Sequence, residues 1–274
     1  MKRPITVGPL VRYSVFFILA ILITLPATLP TELAVRWGKS YLYEGQQADV
    51  ALYDYYGTLV NGGARLVTYQ NNVVGGVKWG FDFRSLFTGG VLWDFEIIGD
   101  EEIWAVARGG VNFFGYKVIE AIEVDLPIYK IGVFLPAGVP YVDGKVKVEL
   151  YEVNLDVGGA QFSATGKIEL DSLQLGRGEG GRLGAFTATI KKDGAGSKVL
   201  IKQVGRGVVN ADLIINIAPT GAYQINGTVE ANENAGMFVK TFLAWMGKRK
   251  GRDSFKLAEK GNVWKVMSAA STSK

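Results

Sequence analysis

The chain has 274 residues, with 30 Lys and Arg against 26 Asp and Glu, and it contains neither His nor Cys. Without these two residue types it cannot form a Ser-His or Cys-His nucleophile pair, or a zinc site of imidazole and thiolate ligands. No pair of carboxylates stands out for acid–base catalysis either. We therefore expect a protein of one or two domains that is not an enzyme and has no cofactor or metal.

The first predicted element is a membrane-spanning helix. Residues 13–31 carry no charge, and as a helix this run would be roughly 28 Å long, close to one hydrocarbon core. A cleaved signal peptide and a buried core helix are the alternatives, but Leu25 and Glu32 stand where the candidate cleavage sites need small residues. We predict a retained anchor with these apolar side chains: Tyr13, Val15, Phe16, Phe17, Ile18, Leu19, Ile21, Leu22, Ile23 and Leu25.

From about residue 40 onwards, apolar and polar side chains alternate, which is typical of antiparallel strands with one buried face. The clearest case is the pair of segments 77–84 and 91–97. Their apolar side chains would share one sheet face, either a packed core or an open trough: Val77, Trp79, Phe81, Phe83, Val91, Trp93 and Phe95.

Turn signals rich in Gly and Asn lie between these apolar runs. Between Leu150 and Tyr151 the apolar residues change face, which predicts a β-bulge. Three prolines within residues 126–140 predict an irregular connection, a candidate seam between two sub-sheets. The sequence predicts a mainly β fold, a long antiparallel meander that forms a curved sheet or a β-sandwich.

One short amphipathic helix is predicted near the C-terminus, over residues 234–247, where Gly247 is suited to a C-terminal cap. We expect it to cover the end of the sheet. A basic run follows, which is either a solvated helix end or a contact patch for lipid headgroups or an acidic partner. The candidate patch is Lys248, Arg249, Lys250 and Arg252. We expect no nucleic-acid partner, because the same chain begins with a membrane segment.

Two segments share only part of a ligand-binding pattern. Residues 176–182 are glycine-rich but lack the Lys-Ser/Thr pair and the following helix of a phosphate loop. Residues 100–102 are acidic but lack the alternating ligand spacing of a calcium loop. We expect a flexible hairpin loop and a solvated turn, respectively.

Short motifs follow the anchor in a fixed order. They are GTLVNGGA at 57–64, VKW at 77–79, FRSLFTGG at 83–90, LP at 126–127, GKVKV at 144–148, GKIEL at 166–170, GAYQINGTV at 221–229 and GR at 251–252. In this order they resemble protein N of the bacterial type II secretion system, although Val60 stands where that family usually has Trp.

The resemblance implies a non-enzymatic accessory protein of the Gram-negative inner membrane that assists the export of folded proteins across the outer membrane. Residues 1–36 would be its cytoplasmic N-terminus and single anchor, and residues 37–274 its periplasmic β-rich domain. Its expected partners are the membrane and other secretion components, in the inner-membrane platform or the outer-membrane channel. The alternative is a periplasmic lipid-binding or lipid-transfer protein similar to the AsmA family, with the apolar sheet face lining a trough.

Overall fold

The structure is a computed structural model that describes residues 14, 17, 21, 24, 27–33, 35–36, 50–69, 72–99, 103–114, 117–131, 142–156, 161–176 and 181–262. The strands are β1 Val50–Gly57, β2 Asn61–Tyr69, β3 Asn72–Asp82, β4 Gly90–Ile98, β5 Ile103–Asn112, β6 Lys117–Pro127, β7 Val142–Asp156, β8 Gln161–Leu175, β9 Arg182–Asp193, β10 Gly196–Val204, β11 Val209–Ile217, β12 Ala222–Ala231, β13 Lys248–Arg249 and β14 Ser254–Asn262. The helices are α1 Ser85–Thr88, α2 Ile128–Ile131 and α3 Met237–Met246.

These strands form one 14-stranded antiparallel sheet, in the order β1 to β12, then β14 and β13. The predicted antiparallel meander is therefore confirmed. Of the two predicted arrangements, this strand order is that of one open sheet and not of a sandwich of two sheets. β6 and β7 also pair directly across the proline-containing connection, where Pro127 lies opposite Lys145.

The chain divides into two compact units. The first unit comprises residues 1–82 and 93–102, and thus holds β1 to β3 and most of β4. Its sheet pairs β1 with β2 from Val50 opposite Tyr69 to Gly57 opposite Gly62.

The N-terminal part of this unit is described at scattered positions, among them Phe17 and Ile21, which have helical backbone and exposed side chains. The other predicted anchor side chains lie outside the described residues: Tyr13, Val15, Phe16, Ile18, Leu19, Leu22, Ile23 and Leu25. Within the part of the chain that the structure describes, no helix has the length and hydrophobicity that crossing a membrane requires.

The second unit comprises residues 83–92 and 103–274. The alternation that its sequence predicts is confirmed in β9, where Phe186, Ala188 and Ile190 are buried and the residues between them are partly exposed. One core cluster joins Phe186 to Val209, Val229, Phe255 and two residues of α3. A second cluster joins Ala188 and Ile190 to Val153, Ala164 and Val199.

The predicted bulge lies in β7, slightly later than expected. The β7–β8 register shifts between Tyr151 and Asn154, and Glu152 there has a φ of 51°. The shift places Val153 in the core and leaves Tyr151 exposed. The irregularity thus keeps Val153 in the buried cluster against which Leu150 packs, as a bulge does.

The predicted C-terminal helix is also present, as α3. The backbone N–H of Gly247 donates to the carbonyl of Leu243 at 3.0 Å, so Gly247 caps the helix, with an extended backbone (φ −138°). Val239 and Leu243 are buried in the first core cluster. The helix therefore covers the end of the sheet, as expected.

Candidate functional site

The first candidate site is a junction in the first unit, between the segment that follows the predicted anchor and the β1–β2 turn. The backbone N–H of Leu59 donates to the carbonyl of Leu29 at 3.0 Å. The hydroxyl of Thr31 donates to the carbonyl of Tyr56 at 2.9 Å, and Thr31 is almost completely buried. These bonds fix the start of the sheet to the chain emerging from the predicted anchor.

Two tryptophans hold the same turn from the neighbouring strands. The indole Nε1–H of Trp79 donates to the carbonyl of Thr58, and that of Trp93 donates to the carbonyl of Leu59, each at 3.2 Å. Phe81 packs edge-on against Trp93, with ring centroids 5.3 Å apart. Both indoles therefore satisfy turn carbonyls in addition to supplying apolar surface.

The glycines of the GTLVNGGA turn are required by the close approach of backbone. Gly57 has a φ of 73°, a conformation that favours glycine. A Cβ on Gly62 would lie 2.5 Å from both the Thr31 hydroxyl and the Thr58 carbonyl, and one on Gly63 would collide with a carbonyl of β3. A side chain at Gly62 would thus displace the segment around Thr31.

An acidic residue lies near a phenol beside this junction. Burial raises the pKa of the Tyr55 phenol, and the Glu32 carboxylate and Tyr53 raise that pKa further. The raised pKa keeps the Tyr55 phenol neutral at physiological pH.

The seven residues of the predicted apolar sheet face differ in burial. Trp79 is buried, and four of the predicted residues are half-buried, namely Val77, Phe81, Val91 and Trp93. Phe95 is 36% exposed. Phe83 departs from the prediction, because β3 ends at Asp82 and Phe83 lies in the following turn with 50% of its surface exposed.

The second unit has a continuous apolar row that runs across nine strands, from β5 to β12 and on to β14. In the observed register each residue of the row lies directly opposite the next: Ala105, Val124, Val148, Ile168, Ala188, Ile201, Leu213, Gly227 and Leu257. Because directly opposite residues of paired strands lie on the same face of a sheet, the row lies on a single face.

A polar row runs beside it on the opposite face. Its members, again each opposite the next, are Asp125, Lys147, Glu169, Thr187, Lys202, Asp212, Thr228 and Lys256. No two like charges are direct neighbours in this row, and opposite charges at facing positions favour the register.

Ion pairs along the strands reinforce this polar face. Lys147 contacts Glu149 at 2.6 Å, and Lys167 pairs with Glu169. The hydrogen bond and charge of Lys147 lower the pKa of Glu149, and those of Glu149 raise the pKa of Lys147. Solvent screens this pair, which lies within the single strand β7, so it adds little to stability.

The structure brings the four residues of the predicted basic patch together in one exposed segment: Lys248, Arg249, Lys250 and Arg252. The Arg249 guanidinium donates to the carbonyls of Gly251 (3.1 Å) and Arg252 (2.8 Å), which holds the turn closed. What the sequence-based prediction missed is the neighbouring surface of α3, where Met237 and Trp245 are each 80% exposed.

Comparison with known protein families identifies the chain. A family model described as type II secretion system (T2SS), protein N matches residues 48–258. The chain belongs to the type II secretion system protein N family. No curated protein and no solved structure matches it.

Membership confirms the resemblance seen in the sequence, and it makes the chain a type II secretion component that acts with other components of that system. The part matched to the protein N family contains β1 to β13 and most of β14, including the GTLVNGGA turn. Nothing in these matches supports the lipid-transfer alternative.

No metal site accompanies the protein N fold in the residues described. Over those positions, no group of three or more acidic side chains could hold an ion. Residues 100–102, the acidic segment noted in the sequence, lie outside them, as do residues 177–180 of the glycine-rich segment.

Proposed function

We propose that the chain is a non-enzymatic accessory component of the type II secretion machinery at the inner membrane of a Gram-negative bacterium. The N-terminal anchor holds it in the membrane, its sheet stands in the periplasm, and it assists the export of folded proteins across the outer membrane. The observation that carries this proposal is the family match over nearly the whole sheet. The junction at Thr31 supports it, because a fixed connection keeps the sheet at a set distance from an anchor.

The edge strand β1 is the proposed docking surface for other secretion components. Among the strands that the structure describes, β1 has β2 as its only neighbour, and the edge of a sheet can accept a further strand from a partner. Tyr53 and Tyr56 on β1 are exposed. Asp54 has a φ of 54°, and this irregular charged position limits pairing to partners that accommodate it.

The test is site-specific photo-crosslinking of the full chain in cells that secrete through this system. A photoreactive residue replaces Tyr53 on β1, and a matched control carries it at Lys192, an exposed position on β9. We expect adducts with the inner-membrane platform or the outer-membrane channel from position 53 and none from position 192.

Two failures are distinguishable. Adducts with secretion components from other positions but not from 53 would refute docking through β1 and leave the secretion role intact. If mild-detergent purification recovers no secretion component at a stoichiometric level, the accessory role itself is refuted.

A further inference from the structure

The inner side of α3 is fixed against the sheet. Val239 is fully buried and Leu243 is 6% exposed, and both pack in the cluster that contains Val229 and Phe255. Lys240, on the flank of the helix, forms an ion pair with Asp253 at 3.1 Å. These contacts determine which side chains of α3 point away from the protein.

The outward side chains are mostly apolar, although Thr241 is exposed among them. Met237 and Trp245 are each 80% exposed and Phe238 is 51% exposed. The ring of Phe242 lies 6.1 Å from that of Trp245. Helices on the surface of soluble proteins carry polar residues on the outward side, so a helix that is apolar on both sides faces a second apolar environment.

The segment that follows α3 is strongly basic. Lys248, Lys250 and Arg252 are exposed, and Arg249 is held in place by two backbone carbonyls. Between positions 237 and 258 the only acidic residue is Asp253, which Lys240 neutralises. The local charge is therefore positive and matches an anionic partner.

We propose that the outward side of α3 and the basic residues 248–252, together called the α3 surface, form a binding site for anionic phospholipid bilayers. Trp245, Met237 and Phe238 would lie in the interface and the basic residues on the headgroup phosphates. Adjacent apolar and cationic groups are complementary to a bilayer, because its headgroup phosphates lie next to its acyl chains. Trp is enriched at this interface between headgroups and acyl chains. This site is separate from the β1 edge in the sequence and in its proposed ligand. The positive charge of residues 248–252 beside the apolar side chains of α3 favours anionic lipid as that ligand.

The absence of native Cys allows a direct test with a single label. The full-length Trp245→Cys variant carries an environment-sensitive fluorophore and is held by its N-terminal segment in phosphatidylcholine nanodiscs. We then add vesicles of phosphatidylcholine alone, or of phosphatidylcholine and phosphatidylglycerol in equal parts. A second preparation contains phosphatidylglycerol in the nanodisc itself. We expect a blue shift, with quenching by a lipid-borne quencher, when phosphatidylglycerol is present.

Charge variants provide the matched control. One Lys near an anionic surface contributes roughly fivefold to partitioning, so Lys248→Gln with Lys250→Gln should weaken vesicle binding about 25-fold. Lys191→Gln with Lys202→Gln makes the same change of charge on exposed residues of β9 and β10 and should have no effect.

Three results would overturn the proposal. The first is an unshifted fluorophore with phosphatidylglycerol in both preparations. The second is a shift that depends on protein concentration without anionic lipid, together with disulfide cross-links between unlabelled copies of the Trp245→Cys variant, which would identify a second copy as the occupant. The third is a shift on adding purified secretion components but not lipid, which would identify a protein partner. None of them bears on docking through β1.

Discussion

Replacing Trp79 by Phe should loosen the junction between the N-terminal segment and the sheet. The change removes the indole donor that lies 3.2 Å from the Thr58 carbonyl. Because Trp79 is only 9% exposed, water cannot readily take its place, and a buried acceptor left unpaired costs about 1–3 kcal/mol. We take about 2 kcal/mol as the expected loss in the free energy of local opening.

Native-state hydrogen exchange at Leu59 measures this loss, because that amide is bonded to the Leu29 carbonyl at 3.0 Å. A loss of about 2 kcal/mol accelerates its exchange roughly 30-fold. Trp245→Phe, on the exposed side of α3, is the control and should leave Leu59 unchanged. Unaltered exchange at Leu59 in a folded Trp79→Phe variant would show that the indole does not hold the turn.

Three further predictions concern the second unit. Leu243→Ala should lower the free energy of unfolding by about 2–5 kcal/mol in urea titrations, because it empties a buried position, whereas Met237→Ala should leave it unchanged. Ser197→Ala should cost about 2 kcal/mol in the same assay, since this buried hydroxyl links β8 to β10; an unchanged midpoint would contradict that. By NMR titration, the pKa of Glu149 should lie below its ordinary value and return towards it in Lys147→Gln. The stabilisation by the Lys147–Glu149 pair is present above the ordinary pKa of a Glu carboxyl group. It is lost as the pH falls through the lowered pKa of Glu149.

The sequence was sufficient to predict the sheet because its pattern is local. In β9 the spacing of Phe186, Ala188 and Ile190 predicted the buried face, and the structure buries all three. The face change after Leu150 predicted a bulge, and a register shift occurs between Tyr151 and Asn154. Both signals arise from the two-residue period of a strand, which can be recognised without knowing the partner strand.

The junction could not be predicted in this way. Its bond from Thr31 to Tyr56 joins residues 25 apart, and no periodicity connects them. The adjacent glycines Gly62 and Gly63 were the available signal, since paired glycines mark a close approach of backbone as well as a turn. Phe83 was misplaced for a related reason, because alternation alone does not give the residue at which a strand ends.

The exposed side of α3 was missed because apolar residues in a short helix are equally consistent with a core. In the sequence, Met237 and Trp245 belong to the same apolar set of the helix as Leu243. Only the observed packing separates the buried Leu243 from the exposed pair.

The strict agreement between strand order and chain order has a consequence for how the molecule forms. Up to β12, each new strand adds to the strand made just before it, so pairing requires closing only the connection between two consecutive strands. A chain that emerges N-terminus first can therefore build its sheet progressively, with each completed hairpin as the template for the next. Growth ends beyond β12, where α3 covers the sheet and β14 and the two-residue β13 complete it. An incomplete chain would leave its last strand as an unprotected edge, so the C-terminal elements terminate assembly as well as complete the fold.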